Sequence, residues 1–275
     1  MTKKGNIILL TATVNPNGMS FTALQDRTAR EKQYRDSLSF YLENTDSKIV
    51  FCENSGTDLS SGYRKYIDEG RIEFLTFDGN DYDKKLGKGY GEAKIILYAI
   101  SNSVFIKNIK DCYIVKITGR VIVRNICDIL NRRILNLNNI IMCDFMGDSS
   151  IYTMIFVSPL KWIRNVNYHL NEINDTKGVT FEQIMYKILL NTDCIVLPFS
   201  PSPIIRGVNG SSGLRYEQIL PSDIYSKNFL YLSLLYKKKG FPIIALFAQW
   251  YYLCYTKYYV RLKQIISRIG TYILK

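Results

Sequence analysis

The fold is decided by IILLTATVNP (7–16), KIVFCENSG (48–56) and CYIVKITGR (112–120). Each is a short run of β-branched or aliphatic residues that ends abruptly in small, polar or charged ones. A basic segment with helical spacing (25–41) lies between the first two, and KGYGEAKIILYAI (88–100) precedes the third. This alternation predicts an α/β fold with a mostly parallel sheet, whose ligands gather at the carboxyl ends of the strands. The unusual polar residues fall at those ends.

The chain carries a strong positive charge on a globular composition. Its 275 residues include 36 lysines and arginines against 24 aspartates and glutamates, a formal net charge of +12, and 47% are hydrophobic. This apolar fraction is enough for a packed core and excludes general disorder. The charge predicts an anionic partner, which could be a phosphorylated small molecule, a nucleic acid or an anionic membrane surface.

Cysteine and histidine usage narrows the chemistry. The single histidine, His169, argues against histidine-based triads and histidine-rich metal sites. Six scattered cysteines without a CxxC pair favour buried free thiols in a reducing compartment over disulfides or metal: Cys52, Cys112, Cys127, Cys143, Cys194 and Cys254.

The apolar run at the start is short and leads directly into Asn15 and Pro16, so it predicts a strand and no secretory signal.

The rest of the chain divides into further strands and helices. We expect an α/β domain over 1–215 and a C-terminal helical extension over 216–275, separated from the last strand by the loop 198–213. Hydrophobic patterning predicts strands at 72–77, 140–143, 151–157 and 194–197, and helices at 60–69, 92–101, 125–135, 160–170, 180–190 and from about 222 onward.

The extension has a composition of its own. From Pro221 onward the only acidic residue is Asp223, against nine lysines and arginines, and 241–255 is apolar and aromatic. That run is shorter than the ~20 apolar residues that a spanning helix needs. We expect a basic amphipathic tail at an anionic membrane surface. A helix packed on the sheet and a true span are the alternatives.

Polar residues that could contact a ligand follow the first two strands. Hydroxyl, carboxylate and amide groups there offer hydrogen bonds to a nucleotide base or ribose, although both places also fit an ordinary turn. Two arginines of the next helix could bind phosphate oxygens or lie on a solvated face. These candidates are Thr11, Thr13, Arg27, Arg30, Glu53 and Asn54.

A glycine-rich segment, KGYGE (88–92), precedes a predicted helix. Helix N-termini attract anions, so Lys88 could reach a diphosphate there, while Glu92 suits the first turn electrostatically. The segment matches neither a Walker loop nor a dinucleotide fingerprint.

The third stretch contains a lysine within a strand typical of the buried centre of a parallel sheet. A buried ammonium group is costly unless it is paired or reaches a ligand. Thr118, Gly119 and Arg120 follow at the end of the strand. We expect Lys116 and these residues to contact the ligand, and an internal ion pair of Lys116 is the alternative.

The order of the blocks TATVNP, FCENSG, KGYGEA and VKITGR resembles small bacterial glycosyltransferases of capsule and O-antigen gene clusters, which have a GT-A-like nucleotide-sugar-binding domain. DTKGVTFEQ (175–183) and GVNGSSG (207–213) also resemble blocks of that group. The resemblance covers most of 7–213, and each motif is short. It implies a GT-A-like catalytic domain in which the first strands bind the nucleotide.

One departure from the family pattern bears on the metal. GT-A enzymes normally place an acidic DxD pair after the GEA-like helix and the next strand, where this chain has Thr118, Gly119 and Arg120. A DxD-held divalent metal is therefore in doubt, and no cofactor is certain. The departure implies that Lys116 and Arg120 neutralise the leaving diphosphate directly.

Glycosyl transfer also needs a carboxylate that takes the acceptor's hydroxyl proton, if the reaction inverts configuration. Glu182, in the first turn of a predicted helix, is the first choice. Asp144, at the end of a predicted strand, and Asp175 are the other candidates. Glu182 could also be a capping carboxylate, and Asp175 could cap a turn.

These observations predict a hexosyltransferase-type enzyme that moves a sugar from a nucleoside-diphosphate sugar to a lipid-linked or growing surface polysaccharide. We expect a cytoplasmic protein, peripheral on the inner face of the cell membrane, with no nucleic-acid partner. The alternatives are a basic nucleic-acid-binding protein and a catalytically inactive nucleotide-binding scaffold of the same fold.

Overall fold

The computed structural model describes residues 5–20, 22–109, 112–132, 135, 138–146, 149–210, 212–216, 221–248 and 250, with the backbone alone at 221–227, 229 and 230. Within these ranges the strands are β1 (Asn6–Ala12), β2 (Lys48–Glu53), β3 (Ile72–Thr76), β4 (Tyr113–Thr118), β5 (Ile122–Val123), β6 (Ile140–Met142), β7 (Ile155–Pro159), β8 (Ile195–Leu197) and β9 (Ile205–Arg206).

Seven of these strands form the central sheet, in the order β3-β2-β1-β4-β7-β6-β8, and β5 pairs separately with β9. β7 runs antiparallel to both its neighbours, whereas the other pairs within the sheet are parallel. The carboxyl ends of β1, β2 and β4 therefore lie side by side at one edge, as the sequence pattern predicts.

Helices cover both faces of the sheet. They are α1 (Arg27–Asn44), α2 (Arg64–Asp68), α3 (Lys88–Asn102), α4 (Val104–Lys107), α5 (Ile126–Leu130), α6 (Leu160–Ile163), α7 (Val166–His169), α8 (Phe181–Leu190) and α9 (Pro221–Lys238). Alternate residues of β1 face two hydrophobic clusters: Ile7 and Leu9 pack with α3 and α8, and Ile8 and Leu10 pack with α1. The predicted α/β fold, a mostly parallel Rossmann-like sheet flanked by helices, is confirmed.

The start of α3 differs from the prediction in a way that matters for the site. The helix begins at Lys88 and not at Glu92, so KGYGE forms its first turns and is not a loop. Gly87 makes this early start possible, since its φ of 83° belongs to the left-handed region that glycine adopts freely. Glu92 consequently lies more than one turn into the helix.

Several other strands and helices are shorter than predicted. β7 starts at Ile155 because Ile151 instead forms an isolated bridge with Phe145. The predicted helix 160–170 is divided into α6 and α7 at Asn165, whose N–H bonds to the carbonyl of Trp162 in a tight turn. α2 and α5 cover only part of 60–69 and 125–135.

The described side chains of α9 include several that pack on the sheet. Leu232, Leu235 and Tyr236 of α9 belong to the larger core cluster, and the Tyr236 hydroxyl bonds to both the N–H and the carbonyl of Val196. A further helical segment covers 242–248. Of the helices in the described ranges, none has the length and apolar character needed to cross a membrane. The division at 215/216 stays a prediction, and residues 251–275 of the predicted extension lie outside the described residues.

The cysteine prediction is confirmed in part. Cys52, Cys112, Cys143 and Cys194 are buried free thiols, but Cys127 is exposed, since it lies off the face of α5 that the buried Ile126, Ile129 and Leu130 form. Cys254 lies outside the described residues.

Glu53, the last residue of β2, ties the ends of β1 and β2 together. Its buried carboxylate accepts hydrogen bonds from the N–H groups of Val14, Ser55 and Thr57, each at 2.9 Å, and from the Ser55 hydroxyl. The sequence predicts a ligand contact for Glu53, whereas the structure gives its carboxylate four donors within the protein. These bonds shape the loops that border the carboxyl edge of the sheet.

Glu53→Gln is expected to lower the free energy of unfolding by about 2 kcal/mol, because the amide cannot accept all four bonds and loses the charge that strengthens them. Urea unfolding followed by circular dichroism measures the change. Glu43→Gln, at an exposed position of α1, is the matched control. Equal stability of the two variants would show that the Glu53 carboxylate does not hold these loops.

Candidate functional site

A cleft of about 650 Å³ opens at the carboxyl ends of β1 and β4. Its walls come from the ends of these strands, the first turns of α3 and α8, and the loop 207–216. A hollow of similar volume lies beside β3. We place the functional site in the cleft at β1 and β4, because the charged side chains of Arg30, Arg120 and Glu182 converge there.

The structure brings most of the predicted site residues to this cleft. Those that line it are Thr11, Thr13, Arg30, Lys88, Glu92, Thr118, Arg120, Asp175 and Glu182. The predicted residues that are not part of its lining are Arg27, Glu53, Asn54, Lys116, Gly119 and Asp144.

Two buried arginines form the basic side of the cleft. Arg30 is 6% exposed and donates to the carbonyls of Thr13 (2.8 Å) and Leu24 (3.1 Å). Arg120 is 7% exposed, and its Nη1 donates to the carbonyl of Val208 at 2.6 Å. Burial lowers the pKa of Arg120, and the nearby charge of Arg30 lowers it further.

Neither arginine has an ion pair in the described part of the chain. Buried charges in proteins are normally paired, because an isolated one loses its hydration without compensation. Two such guanidinium groups on the wall of one cleft therefore form a site suited to an anion, and their forked donors match phosphate oxygens.

The loop 207–216 covers Arg120. Gly210 lies so close to this arginine that a Cβ at position 210 would overlap the guanidinium. The Gly210 carbonyl also accepts from the N–H of Ala23, which joins the loop to the segment before α1. The glycine therefore lets the backbone enclose the basic side of the cleft.

Carboxylates form the other side of the cleft. Glu182, in the first turn of α8, accepts a hydrogen bond from the Thr153 hydroxyl at 3.3 Å. Burial raises the pKa of Glu182, and the negative charge of Glu92 raises it further. A carboxylate with a raised pKa beside a cleft is a candidate for proton transfer.

Asp175 lies against the first turn of α3. The N–H of Gly89 donates to its carboxylate at 3.4 Å, and a Cβ at Gly87 would overlap it. Burial raises the pKa of Asp175. The helix N-terminus that the sequence predicts as a diphosphate site is thus already in contact with a carboxylate of the protein, which makes it less suited to a ligand anion.

Lys116 lies beneath the cleft. Its side chain is 0% exposed, and its ammonium group forms an ion pair with Glu92 and donates to the Thr153 carbonyl and, at 3.3 Å, to the Thr118 hydroxyl. This is the internal ion pair that the sequence left open as the alternative. The predicted direct contact of Lys116 with a diphosphate gains no support from this geometry, since the ammonium group is enclosed by protein.

Thr13 and Asn54 meet where the first two strands end. The Thr13 hydroxyl donates to Asn54 Oδ1 at 2.6 Å. The buried Nδ2 of Asn54 has no hydrogen-bond partner among the described residues. A buried donor of this kind is expected to have an acceptor, which a ligand or a water molecule could supply.

Asp144 and Arg27 are not among the residues that line the cleft. Arg27 is exposed on α1. Asp144 is buried at the end of β6 and accepts from Asn228 Nδ2 of α9 (2.8 Å) and the Phe199 N–H (3.4 Å). Burial raises the pKa of Asp144 to about 7. The bond with Asn228 anchors α9, and the contact of Asp144 with a sugar or diphosphate stays a prediction.

Several lining residues were not predicted from the sequence. Tyr34 follows Arg30 by one helical turn and accepts from its Nη2 at 3.2 Å, a spacing that could have indicated the contact. Tyr152, Thr153 and Tyr216 also line the cleft. Tyr152 and Thr153 lie in a loop where the sequence pattern predicts a strand, and Tyr216 lies beyond β9, so no sequence signal identified them.

The donor chemistry of the site does not fit a carboxylate-held divalent ion at the end of β4. The residues there are Thr118, Gly119 and Arg120, and within the described residues no group of three His, Cys, Asp or Glu side chains converges in a way that could hold a metal. We therefore derive no step through a metal.

Comparison with known proteins yields distant structural likenesses only. No family model matches the chain, and no curated protein matches it. A protein named as a nucleotide-diphospho-sugar transferase from Desulfovibrio desulfuricans G20 is similar at a TM-score of 0.37 and 10% identity, over 71% of this chain and 80% of the other. A cytidylyltransferase from Leptospira borgpetersenii serovar Hardjo-bovis is similar at a TM-score of 0.37 and 12% identity, over 89% and 97%. At these values the likenesses carry no argument about function.

Asp144→Asn is expected to change how stability depends on pH. The pKa of this carboxyl is raised from 3.8 to about 7 in the folded protein, so folding takes up a proton between those values. Above pH 7 the carboxyl is ionised in the folded protein, and the buried charge lowers the free energy of unfolding by its full amount. This loss of stability declines as the pH falls towards 4. The asparagine keeps the acceptor for Asn228 without the charge.

The variant should consequently be more stable than the wild type at pH 8, and this advantage should shrink towards pH 5. Thermal unfolding across that range measures the difference. Asp128→Asn, at an exposed position of α5, is the control for the substitution itself. A difference in stability between Asp144→Asn and the wild type that stays constant over this pH range would contradict the raised pKa.

Proposed function

We propose that the protein is a glycosyltransferase that uses a nucleoside-diphosphate sugar as its donor. The observation that carries this proposal is the polarity of the cleft. Two buried arginines without a carboxylate partner among the described residues, Arg30 and Arg120, stand on one side, and Glu182 with a raised pKa stands on the other. A donor with an anionic diphosphate and a neutral sugar matches this division.

The arginines would bind the diphosphate and stabilise it as the leaving group. Negative charge develops on the diphosphate oxygens while the bond to the anomeric carbon breaks. Cationic donors fixed in a partly enclosed cleft stabilise such charge without reorganisation. Arg120 is held in place by Val208 and the loop 207–216, so its guanidinium is pre-oriented.

The nucleoside would lie where β1 and β2 end. Thr11 and Thr13 line the cleft there. Asn54 Nδ2 offers a buried donor nearby, joined to Thr13 through the hydrogen bond between their side chains. Base and ribose acceptors could satisfy this donor after a small adjustment of the two side chains.

Glu182 would take the proton from the acceptor hydroxyl as this oxygen attacks the anomeric carbon, in an inverting reaction. Its orientation is set through Thr153, whose hydroxyl donates to Glu182 and whose carbonyl accepts from Lys116. Lys116 would therefore act as a positioning residue and not contact the diphosphate. Asp175, which also lines the cleft, is the second candidate for the base.

The acceptor class comes from the sequence resemblance to capsule and O-antigen glycosyltransferases. We propose a lipid-linked or growing surface polysaccharide as the acceptor, a hexose-type sugar as the transferred group, and a peripheral position at the inner face of the cell membrane. The net charge of +12 is compatible with a diphosphate-bearing lipid acceptor.

Arg120→Met is expected to weaken donor binding at least tenfold, because it removes a buried cation from the diphosphate site. Thermal stabilisation by a panel of UDP-, GDP- and CMP-sugars first identifies the donor, since a ligand that binds only the folded state raises the melting temperature. Titration calorimetry with that donor then compares the wild type with the variant.

The unliganded variant should be no less stable than the wild type, because the substitution removes a buried charge that has no ion pair among the described residues, together with the bond to Val208. Arg124→Met, exposed on the same segment, is the control and should bind the donor normally. Undiminished donor binding by Arg120→Met would refute the diphosphate site. Binding of oligonucleotides in place of nucleotide sugars would favour the nucleic-acid alternative.

Glu182→Gln is expected to keep donor binding and lower the rate of transfer by ~10²–10⁴-fold, as removal of a general base does. The wild-type rate should increase with pH through the raised pKa of Glu182, because only the ionised carboxylate accepts the proton. Release of nucleoside diphosphate and glycosylated product is measured by chromatography.

The control for this variant is Glu69→Gln, at an exposed position beyond α2. Full turnover of Glu182→Gln would show that Glu182 is not the general base and would leave Asp175 as the candidate. A wild type that binds donors but shows neither transfer nor hydrolysis would indicate the inactive scaffold.

A further inference from the structure

The last described segment of the chain exposes large apolar side chains. Residues 241–250 contain no charged residue. Five of them form what we call the apolar patch and are 54–67% exposed: Phe241, Ile243, Leu246, Phe247 and Trp250. Single exposed apolar residues are ordinary, but a run of them within ten residues marks an interaction surface.

The helical segment 242–248 faces the protein with small side chains. Ala245 is buried in the larger core cluster, and Ala248 packs against that cluster. An ordinary amphipathic helix buries its large apolar residues and exposes polar ones. Here the large residues are on the outside, so most of the free energy of their burial is realised only when a partner covers the patch.

Cations border the apolar patch. Lys237 and Lys238 are exposed at the end of α9, directly before it. The sequence 224–275 contains nine lysines and arginines and no aspartate or glutamate. A second copy of this chain would bring like charges together at the contact, which is unfavourable. An apolar surface with anionic groups at its boundary is complementary to this arrangement.

We propose that residues 237–250 dock the protein on an anionic lipid bilayer. The apolar patch enters the boundary between headgroups and acyl chains, and Lys237 and Lys238 contact the anionic headgroups. Trp250 is suited to this boundary, because its ring combines a large apolar surface with one hydrogen-bond donor.

The docking surface and the cleft are separate. α9 starts at the carboxyl side of the sheet, where Asn228 contacts Asp144, and ends where Lys239 contacts the Thr192 carbonyl before β8. The apolar patch therefore begins at the end of the sheet opposite the cleft. This proposal deepens the membrane position given in the proposed function. Changes in the patch should leave donor binding intact, so it can be tested separately from the proposed donor site and transfer reaction.

Co-sedimentation of the full chain with phosphatidylcholine vesicles, with and without phosphatidylglycerol, tests the proposal. We expect binding to the anionic vesicles that weakens with added salt. The triple variant Phe241→Ser, Phe247→Ser, Trp250→Ser should bind at least tenfold more weakly. A matched triple variant at exposed apolar positions elsewhere should bind normally: Val104→Ser, Tyr168→Ser and Ile204→Ser.

Charge-reversal variants test the role of the two lysines beside the apolar patch. Lys237→Glu, Lys238→Glu should reduce binding to the anionic vesicles at least tenfold, because the headgroup contacts become repulsive. Lys65→Glu, Lys107→Glu changes the net charge equally at exposed positions outside the patch and should reduce binding much less. Equal losses in both pairs would show that total charge, and not this surface, governs binding.

Tryptophan fluorescence locates the contact. The chain has two tryptophans, and Trp162 is buried in the core, so Trp162→Phe leaves the emission of Trp250 to be observed. This emission should shift to shorter wavelength on anionic vesicles, and Trp250→Phe should lose the shift. The triple patch variant should keep its thermal stabilisation by the donor nucleotide.

Two results would overturn the proposal. One is vesicle binding that the triple patch variant retains, with no shift of Trp250. The other is a dimer in light scattering that the triple variant converts to a monomer, without vesicle binding by the wild type. The second result would assign the patch to a second copy of the chain.

Discussion

A buried ion pair between Lys116 and Glu92 joins the central strand β4 to the helix α3, and the floor of the cleft depends on it. Lys116 has no exposed surface, so its charge is stable there only because Glu92 and two oxygen acceptors surround it. Removing either partner alone would leave an unpaired charge in the interior, which costs more than the pair contributes. The strand and the helix are therefore fixed relative to each other by a contact that tolerates little change.

This pair also determines which charges remain for a ligand. Glu92 lines the cleft and contributes to the electrostatic environment of Arg120, but its close partner is Lys116. Arg30 and Arg120 consequently face the cleft without a carboxylate at contact distance among the described residues. An arginine already paired with a carboxylate would have to lose that partner before it bound a phosphate. The arrangement avoids this competition and keeps the basic side of the cleft ready for an anion.

The fold was largely predictable because its signal is local. The run IILL (7–10) of β1 is apolar at every position, as strands buried on both faces must be. The site was less predictable because its contacts depend on the exact start of a helix. With α3 starting at Glu92, that carboxylate would cap a helix N-terminus, whereas the start at Lys88 moves it next to Lys116.

Contacts between distant parts of the sequence were also beyond prediction. Asp144 follows a strand directly, where carboxylates often contact a bound ligand. Its partner is instead Asn228 of α9, 84 residues further along the chain. Glu53 likewise has the features of a ribose ligand, but backbone N–H groups occupy its carboxylate. The register of α9 then affects the cleft, because the Phe145 N–H donates to Asn228 and the neighbouring Met146 lines the cleft wall. Apolar packing alone would let α9 slide along the sheet, whereas the paired bonds of Asn228 hold it in one position. A helix none of whose described side chains lines the cleft therefore still fixes part of the shape of the cleft.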